Sequence, residues 1–204
     1  MNGAILAGGG ATRYEHRPKG LEPVGGRRIL DRVAEALREA VGRDPILIAN
    51  APEAQTWSPG LRVVADVEPG TGALGGLLTA VMAAPAPVVC VAWDMPFVPA
   101  GLLRELATGL EQGYDAFLPA SDSRRGLEPM CAAYGPACGP AIAAALARGD
   151  RRAIAFHPDV KVGILPVERV RRWGDPEQLF FNVNTPDDLL KADDLWRASS
   201  RSSG

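Results

Sequence analysis

The chain of 204 residues is poor in the side chains that carry the commonest acid–base and metal chemistry: it has two histidines, His16 and His157, and three cysteines, Cys90, Cys131 and Cys138. Neither histidine has a partner at ligand or triad spacing, so both read as solvated or packed side chains. The cysteines show no C-x-x-C spacing and are odd in number, and Cys90 sits inside the apolar run VVCVAW; buried thiols in a reducing compartment are expected, rather than a disulfide or a metal site. Charge of one sign is also missing. With 22 Lys and Arg against 24 Asp and Glu, the formal net charge of -2 gives no global attraction to nucleic acid or an anionic membrane, which leaves a small anion met by a local site as the expected ligand. No apolar stretch reaches the ~18 residues that a membrane span needs, and no basic segment leads into an apolar stretch at the amino terminus. A soluble, cytoplasmic protein without nucleic-acid or membrane partners is therefore expected. Aromatic residues are only 6%, and Trp57, Trp173 and Trp196 follow no usable pattern.

What is present is ordinary for a globular chain, with 47% hydrophobic and 23% charged residues. The length suits one substantial core, so 1–195 is expected to form a single domain, and the Ser/Arg-rich 196–204 a frayed tail outside it. Apolar runs of strand length recur in Ala4-Ile5-Leu6, ILIAN, LRVVAD, VVCVAW, AFLPA and CAAY, several with no polar alternation, as in strands buried on both faces of a parallel sheet. Between them come helical patterns: Ile29, Leu30, Val33, Leu37 and Val41; Leu74, Leu77, Leu78, Val81 and Met82; then 102–110, 140–146, and a last helix opening at Pro186 behind a Thr185 cap. The alternation predicts a three-layer α/β/α domain around a mostly parallel sheet. Ligands of such folds gather at the carboxyl ends of the strands. Those ends carry Gly8-Gly9-Gly10, Asn50, Asp66 and Asp94.

Each of these residues has two readings from type and position alone. Three glycines after a strand allow successive amides to converge on a phosphate, and they equally suit a ligand-free turn into a helix. The run is neither a G-x-x-x-x-G-K-[ST] loop nor a G-x-G-x-x-G fingerprint. Arg13 and Lys19 favour the phosphate reading, because a triphosphate needs charge neutralisation as well as amides. Asp94, between a strand and Met95-Pro96, is either an oxygen ligand for Mg²⁺ or a cap for the next helix. Asp66 and Asn50 are nucleotide contacts or plain turn residues.

The run LAGGGATR followed by PKGLEPVGGRRILDRV resembles the opening L-A-G-G-x-S-x-R-M-G…D-K…L…G-x-x-L signature of small nucleotidyltransferases. GALGGL is similar to the G-P-L-x-G-[IL] turn of that family, Asp94-Met95-Pro96-Phe97 to its C-D-M-P-F, and FFNVNTPDDL to its F-x-N-[VI]-N-T-P-E-[DE]-L, while Glu128-Pro129-Met130 matches a further short motif. The set, spread over about residues 3 to 190, resembles most closely the molybdenum cofactor guanylyltransferase family. The chain departs from the pattern at Ala11 for a serine, Tyr14-Glu15 for Met-Gly, Pro18 for the acid before the lysine, and Trp93 for a small residue or cysteine.

The resemblance implies a Rossmann-like nucleotidyltransferase fold and transfer of GMP from GTP to the terminal phosphate of molybdopterin, with or without molybdenum, releasing pyrophosphate. It implies that Leu6, Ala7, Gly8, Gly9 and Gly10 with Asn50 and Asp66 bind the nucleotide, that Asp94 holds Mg²⁺, and that Arg13 and Lys19 stabilise the reacting phosphates. On the pterin side it implies Asn182 and Asn184, placed on a short strand, and Arg151 and Arg152 in RRAIAF, with other cofactor-synthesis or delivery proteins as partners. A phosphate nucleophile is already ionised at neutral pH, so no strong general base is required. The rival expectations are a sibling transferase using another NTP or acceptor, such as a cytidylyltransferase or one that loads a sugar or organic phosphate, and a noncatalytic GTP-binding partner.

Overall fold

Alternate residues of the central strands enter two separate cores, which is why those strands carry no polar alternation. In β1 (Asn2–Leu6), Ile5 faces one cluster with Leu47, Val89 and Val91, whereas Ala4 and Leu6 face another with Ile48, Val88 and Cys90. The first is roofed by α1 (Ile29–Val41) and α4 (Ala100–Leu110) through Leu30, Val33, Leu37, Leu103 and Leu106. The second is roofed by α3 (Gly72–Ala83) and α5 (Cys138–Ala147) through Leu74, Leu77, Leu78, Ile142 and Ala145. These are the three layers that the sequence predicts. The computed structural model describes residues 1–8, 18–84, 86–123 and 126–202, with side chains through Ser199.

The seven-stranded sheet has the order β5-β4-β1-β6-β8-β7-β9. Its members beyond β1 are β4 (Ile46–Ile48), β5 (Val63–Val64), β6 (Val88–Ala92), β7 (Ala116–Pro119), β8 (Cys131–Tyr134) and β9 (Val162–Leu165). A two-stranded ribbon of β2 (Pro23–Val24) and β3 (Arg27–Arg28) stands apart. β1 pairs in parallel with β4 and β6, and β4 with β5, whereas β8 runs antiparallel to both β6 and β7. The CAAY run is therefore the exception in a mostly parallel sheet. Only eleven residues, 120–130, join β7 to β8, too few for the helical crossover that a parallel neighbour needs. Short helices α2 (Ala54–Trp57), α6 (Val167–Val170) and α7 (Pro176–Leu179) complete the domain with α8 (Pro186–Ser202).

Local chemistry fixes the helix ends. α1 stops at Gly42, whose φ of 74° is left-handed and whose N–H closes on the Arg38 carbonyl at 2.8 Å. α8 starts with a reciprocal cap: Asp188 N–H donates to Thr185 Oγ1 (3.1 Å) and Thr185 N–H to Asp188 Oδ2 (2.9 Å).

This helix runs on to Ser202, through most of the segment expected to fray. Trp196 packs against the first core cluster, and the Arg32 guanidinium lies 3.7 Å from its ring centroid. Gly25 in the β2–β3 turn has a φ of 58°, and a Cβ there would come 2.1 Å from the indole, so only glycine leaves room for Trp196. Burial of that ring and its cation–π contact outweigh the weak helix propensity of the Ser-rich end.

Candidate functional site

Parallel pairing places the sequence-predicted residues on one rim. Leu6 and Ala92 are register partners, so Gly8 and Asp94, each two residues beyond its strand, emerge side by side. Trp93 N–H donates to the Leu6 carbonyl (3.2 Å) and laces these two exits together, while Ala7 N–H on the Ile48 carbonyl (2.9 Å) ties in the neighbouring strand that ends at Ile48. Gly8 is exposed, and among the described residues beyond its chain neighbours no heavy atom lies within 4 Å of where a Cβ would stand. Gly9, Gly10 and Arg13 lie outside the described residues, as do Ala11, Tyr14, Glu15 and His16.

Lys19 opens a 3-10 turn, Lys19–Leu21, closed by Leu21 N–H on the Pro18 carbonyl (2.9 Å). Its Nζ donates to Asn184 Oδ1 at 2.8 Å. The segment carrying Asn184 is tied to the same corner by Val183 N–H on the Asp94 carbonyl (2.9 Å). Three chain segments far apart in sequence thus bring an ammonium, an amide and a carboxylate together. Burial pushes the Asp94 carboxyl above its ordinary range, and the Lys19 charge pulls the other way without cancelling it.

Asp94 suits a divalent cation by this measure, since a desolvated carboxylate regains most from a positive partner. Mg²⁺ takes one or two carboxylates and fills its remaining positions with water and substrate phosphates. Among the described residues no group of three or more His, Cys, Asp or Glu is gathered to hold a metal unaided.

Asn50 and Asp66, sixteen residues apart, are hydrogen-bonded reciprocally: Asn50 Nδ2 donates to Asp66 Oδ2 (2.7 Å) and Asp66 N–H to Asn50 Oδ1 (2.8 Å). The second Asp66 oxygen, Oδ1, is buried with no hydrogen-bond partner among the described residues and faces Gly76 of α3. A buried acceptor of this kind is costly unless a donor reaches it, which marks the pair as a place for a ligand N–H or O–H. Neither residue type announced the pairing in the sequence.

The other predicted positions divide. Asn182 and Asn184 are not on a strand; 181–184 is irregular, and its backbone is tied to the strand exits through Val183. Asn182 Nδ2 donates to the Phe180 carbonyl at 2.9 Å and lines a cleft of about 310 Å³ with Ser121, Asp122, Glu128 and Glu177. Glu128 there accepts from the hydroxyls of Ser121 (2.8 Å) and Ser123 (3.1 Å); the E-P-M motif was the only sequence signal for this cluster. Arg151 is exposed. Arg152 is clamped to Asp150 (2.5 Å) and draws that carboxyl down to about 2, mainly through its side-chain hydrogen bond. It also borders a separate, largely apolar groove of about 420 Å³ with Ala73, Leu127, Pro129, Met130 and Ile154.

Other basic groups read as ordinary paired surface: Arg148 with Asp159 (3.1 Å), Arg171 with Asp122 (2.8 Å), and Arg169 with Glu105. His157 packs edge-on to Phe156 with its Nε2 buried, and burial lowers its pKa. Cys90, Cys131 and Cys138 are free, buried thiols, two of them pushed well above the ordinary thiol range and Cys138 to about 12. Among the described residues no helix is long and apolar enough to cross a membrane.

Known proteins share the fold that carries this site. Residues 3–161 match the model of the MobA-like NTP transferase domain. A protein of Pelotomaculum thermopropionicum named probable molybdenum cofactor guanylyltransferase is 38% identical over 191 residues, covering 93% of this chain and 90% of its own. The molybdenum cofactor guanylyltransferase of Desulfosudis oleivorans is 29% identical over 201 residues, covering 97% and 96%. The crystal structure of molybdopterin-guanine dinucleotide biosynthesis protein A from Archaeoglobus fulgidus superposes with a TM-score of 0.81 at 26% identity, covering 97% of this chain and all of that one.

Proposed function

Because the chain belongs to the MobA-like NTP transferase domain family, we propose that it transfers GMP from GTP to the terminal phosphate of molybdopterin, releasing pyrophosphate. The observation that carries this reading is the meeting of Lys19, Asn184 and the half-buried Asp94 beside the Gly8 exit. An oxygen of the acceptor phosphate attacks the α-phosphorus of GTP, a new phosphoanhydride bond forms, and the α–β bond breaks as pyrophosphate leaves. Both reactants are anionic, so the protein's task is to neutralise charge and hold the groups in line.

Each residue has a part in that task. The Gly8–Gly10 backbone holds the triphosphate, and Lys19 and Arg13 neutralise charge that builds on the α-phosphoryl and departing groups. Asn184 fixes the Lys19 ammonium. Asp94 would hold magnesium, which would supply positive charge to the reacting phosphates. The Asn50–Asp66 pair meets the nucleoside, its free Asp66 oxygen taking a donor from base or ribose. The pterin lies along the apolar groove bordered by Arg152, with Arg151 and Asn182 as further polar contacts on the acceptor side. Three reduced thiols suit the cytoplasm as its place of action.

Pyrophosphate release measured with each NTP in turn, with and without molybdopterin, tests the reading. Release is expected with GTP and the pterin together. Faster release with CTP, or with a sugar phosphate as acceptor, would replace the proposed substrates within the same chemistry. GTP binding without turnover for any acceptor would point to a noncatalytic role.

A further inference from the structure

Trp93 directly precedes Asp94 and is 7% exposed. Its indole stacks on that of Trp57, with centroids 5.0 Å apart and planes at 23°. Trp57 is itself held in place, its carbonyl accepting from Arg28 Nη1 (2.9 Å) while the rest of that guanidinium grips Asp31 at 2.7 and 2.8 Å. Against the Trp93 ring lies Gly20: a Cβ on Gly20 would come 2.4 Å from Trp93 Cε3 and 2.8 Å from Cδ2. The backbone of the lysine turn therefore rests directly on the indole, nearer than any side chain would allow.

Gly20 is the immediate neighbour of Lys19, in a turn of only three residues. Whatever sets the height of Gly20 sets the starting point of the Lys19 side chain. We propose that Trp93, backed by Trp57, is a positioning residue: its ring seats Gly20 and so keeps the Lys19 ammonium on Asn184 and in reach of the triphosphate. A large ring at 93 and a glycine at 20 form one matched pair. The inference rests on the proposed role of Lys19 toward GTP. A reacting group displaced by about 1 Å loses on the order of 10²-fold in rate, so small movements of the turn have measurable consequences.

The test is GTP titration by calorimetry with Mg²⁺ on Lys19→Ala, Trp93→Ala, Trp93→Phe and the double variant Lys19→Ala/Trp93→Ala, each checked for its folding transition by circular dichroism. If Trp93 acts through Lys19, Trp93→Ala weakens binding by about 10-fold where the lysine is present and adds less than about two-fold once it is gone. Trp93→Phe keeps a flat ring and recovers most of the affinity. Unchanged binding in Trp93→Ala, or losses that multiply in the double variant, would overturn the proposal while leaving Lys19 in its role. A Lys19→Ala protein that binds GTP normally would instead remove the role of Lys19, and this inference with it. Should Trp93→Ala fail to fold, Gly20→Ala is compared beside Trp93 and in a Trp93→Leu background. A loss of about 10-fold beside the indole and little with leucine is expected, and equal losses would refute the matched pair.

Discussion

The raised pKa of Asp94 couples its metal chemistry to its effect on stability. Folding favours the neutral acid relative to the unfolded chain, so the stability this group contributes is present below its unfolded pKa and is lost as pH rises through the higher folded value. Asp94→Asn, neutral at every pH, is therefore expected to be more resistant to urea than the wild type at pH 7, with the advantage fading as pH approaches 4. A variant weakened at pH 7 would show that the carboxylate is a stabilising contact instead. The cation needs the ionised form, so turnover should fall on acidification from a pH above the usual aspartate range, and Asp94→Asn should lose at least about 10²-fold in kcat. Asn184→Ala, which frees Lys19, is milder. One hydrogen bond to a charged group is worth about 1.5–3 kcal/mol at most, so a roughly 10-fold weaker GTP affinity is expected by titration.

Among the elements, α8 offers the sharpest stability test. Trp196 covers the β2–β3 turn and stacks with Arg32, and Asp193 Oδ1 accepts from Gly25 N–H at 2.7 Å. Trp196→Ala should cost about 1–3 kcal/mol, read as a lower urea midpoint at unchanged slope. Truncation before Trp196 with no loss of stability would return the segment to the status of a tail. The contrast shows what the sequence could and could not carry. The apolar runs and helical spacings around β1, β6, α1 and α3 were legible because each depends on neighbours within a few residues. Trp196 was not, because its partner is a glycine turn 171 positions earlier in the chain and neither end reveals the other. The same holds for the orientation of β8, and for the Asn50–Asp66 bond, which only the pairing of β4 with β5 brings together. At the rim, a strand-end position pointed to Asp94, the need to neutralise phosphate charge to Lys19 and the motif resemblance to Asn184, while the seat beneath Lys19 needed the geometry of Trp93.

For the whole molecule, ligand and fold are linked by mass action. If GTP and Mg²⁺ bind the native state alone, saturation at 100 times Kd adds about 2.7 kcal/mol. For a chain of 204 residues this raises Tm by roughly 5–10 °C, and chelation should remove much of the gain. A melting temperature that ignores both ligands would contradict the proposed site.

The amino-terminal strand is a central one: Asn2 lies in register with Val88, and Leu6 with Ala92. During synthesis at about 5–20 residues per second, roughly 4–17 s must pass between the two partners leaving the ribosome. Through that interval the side of NGAIL that pairs with β6 stays open, even once β4 has emerged to cover the other side.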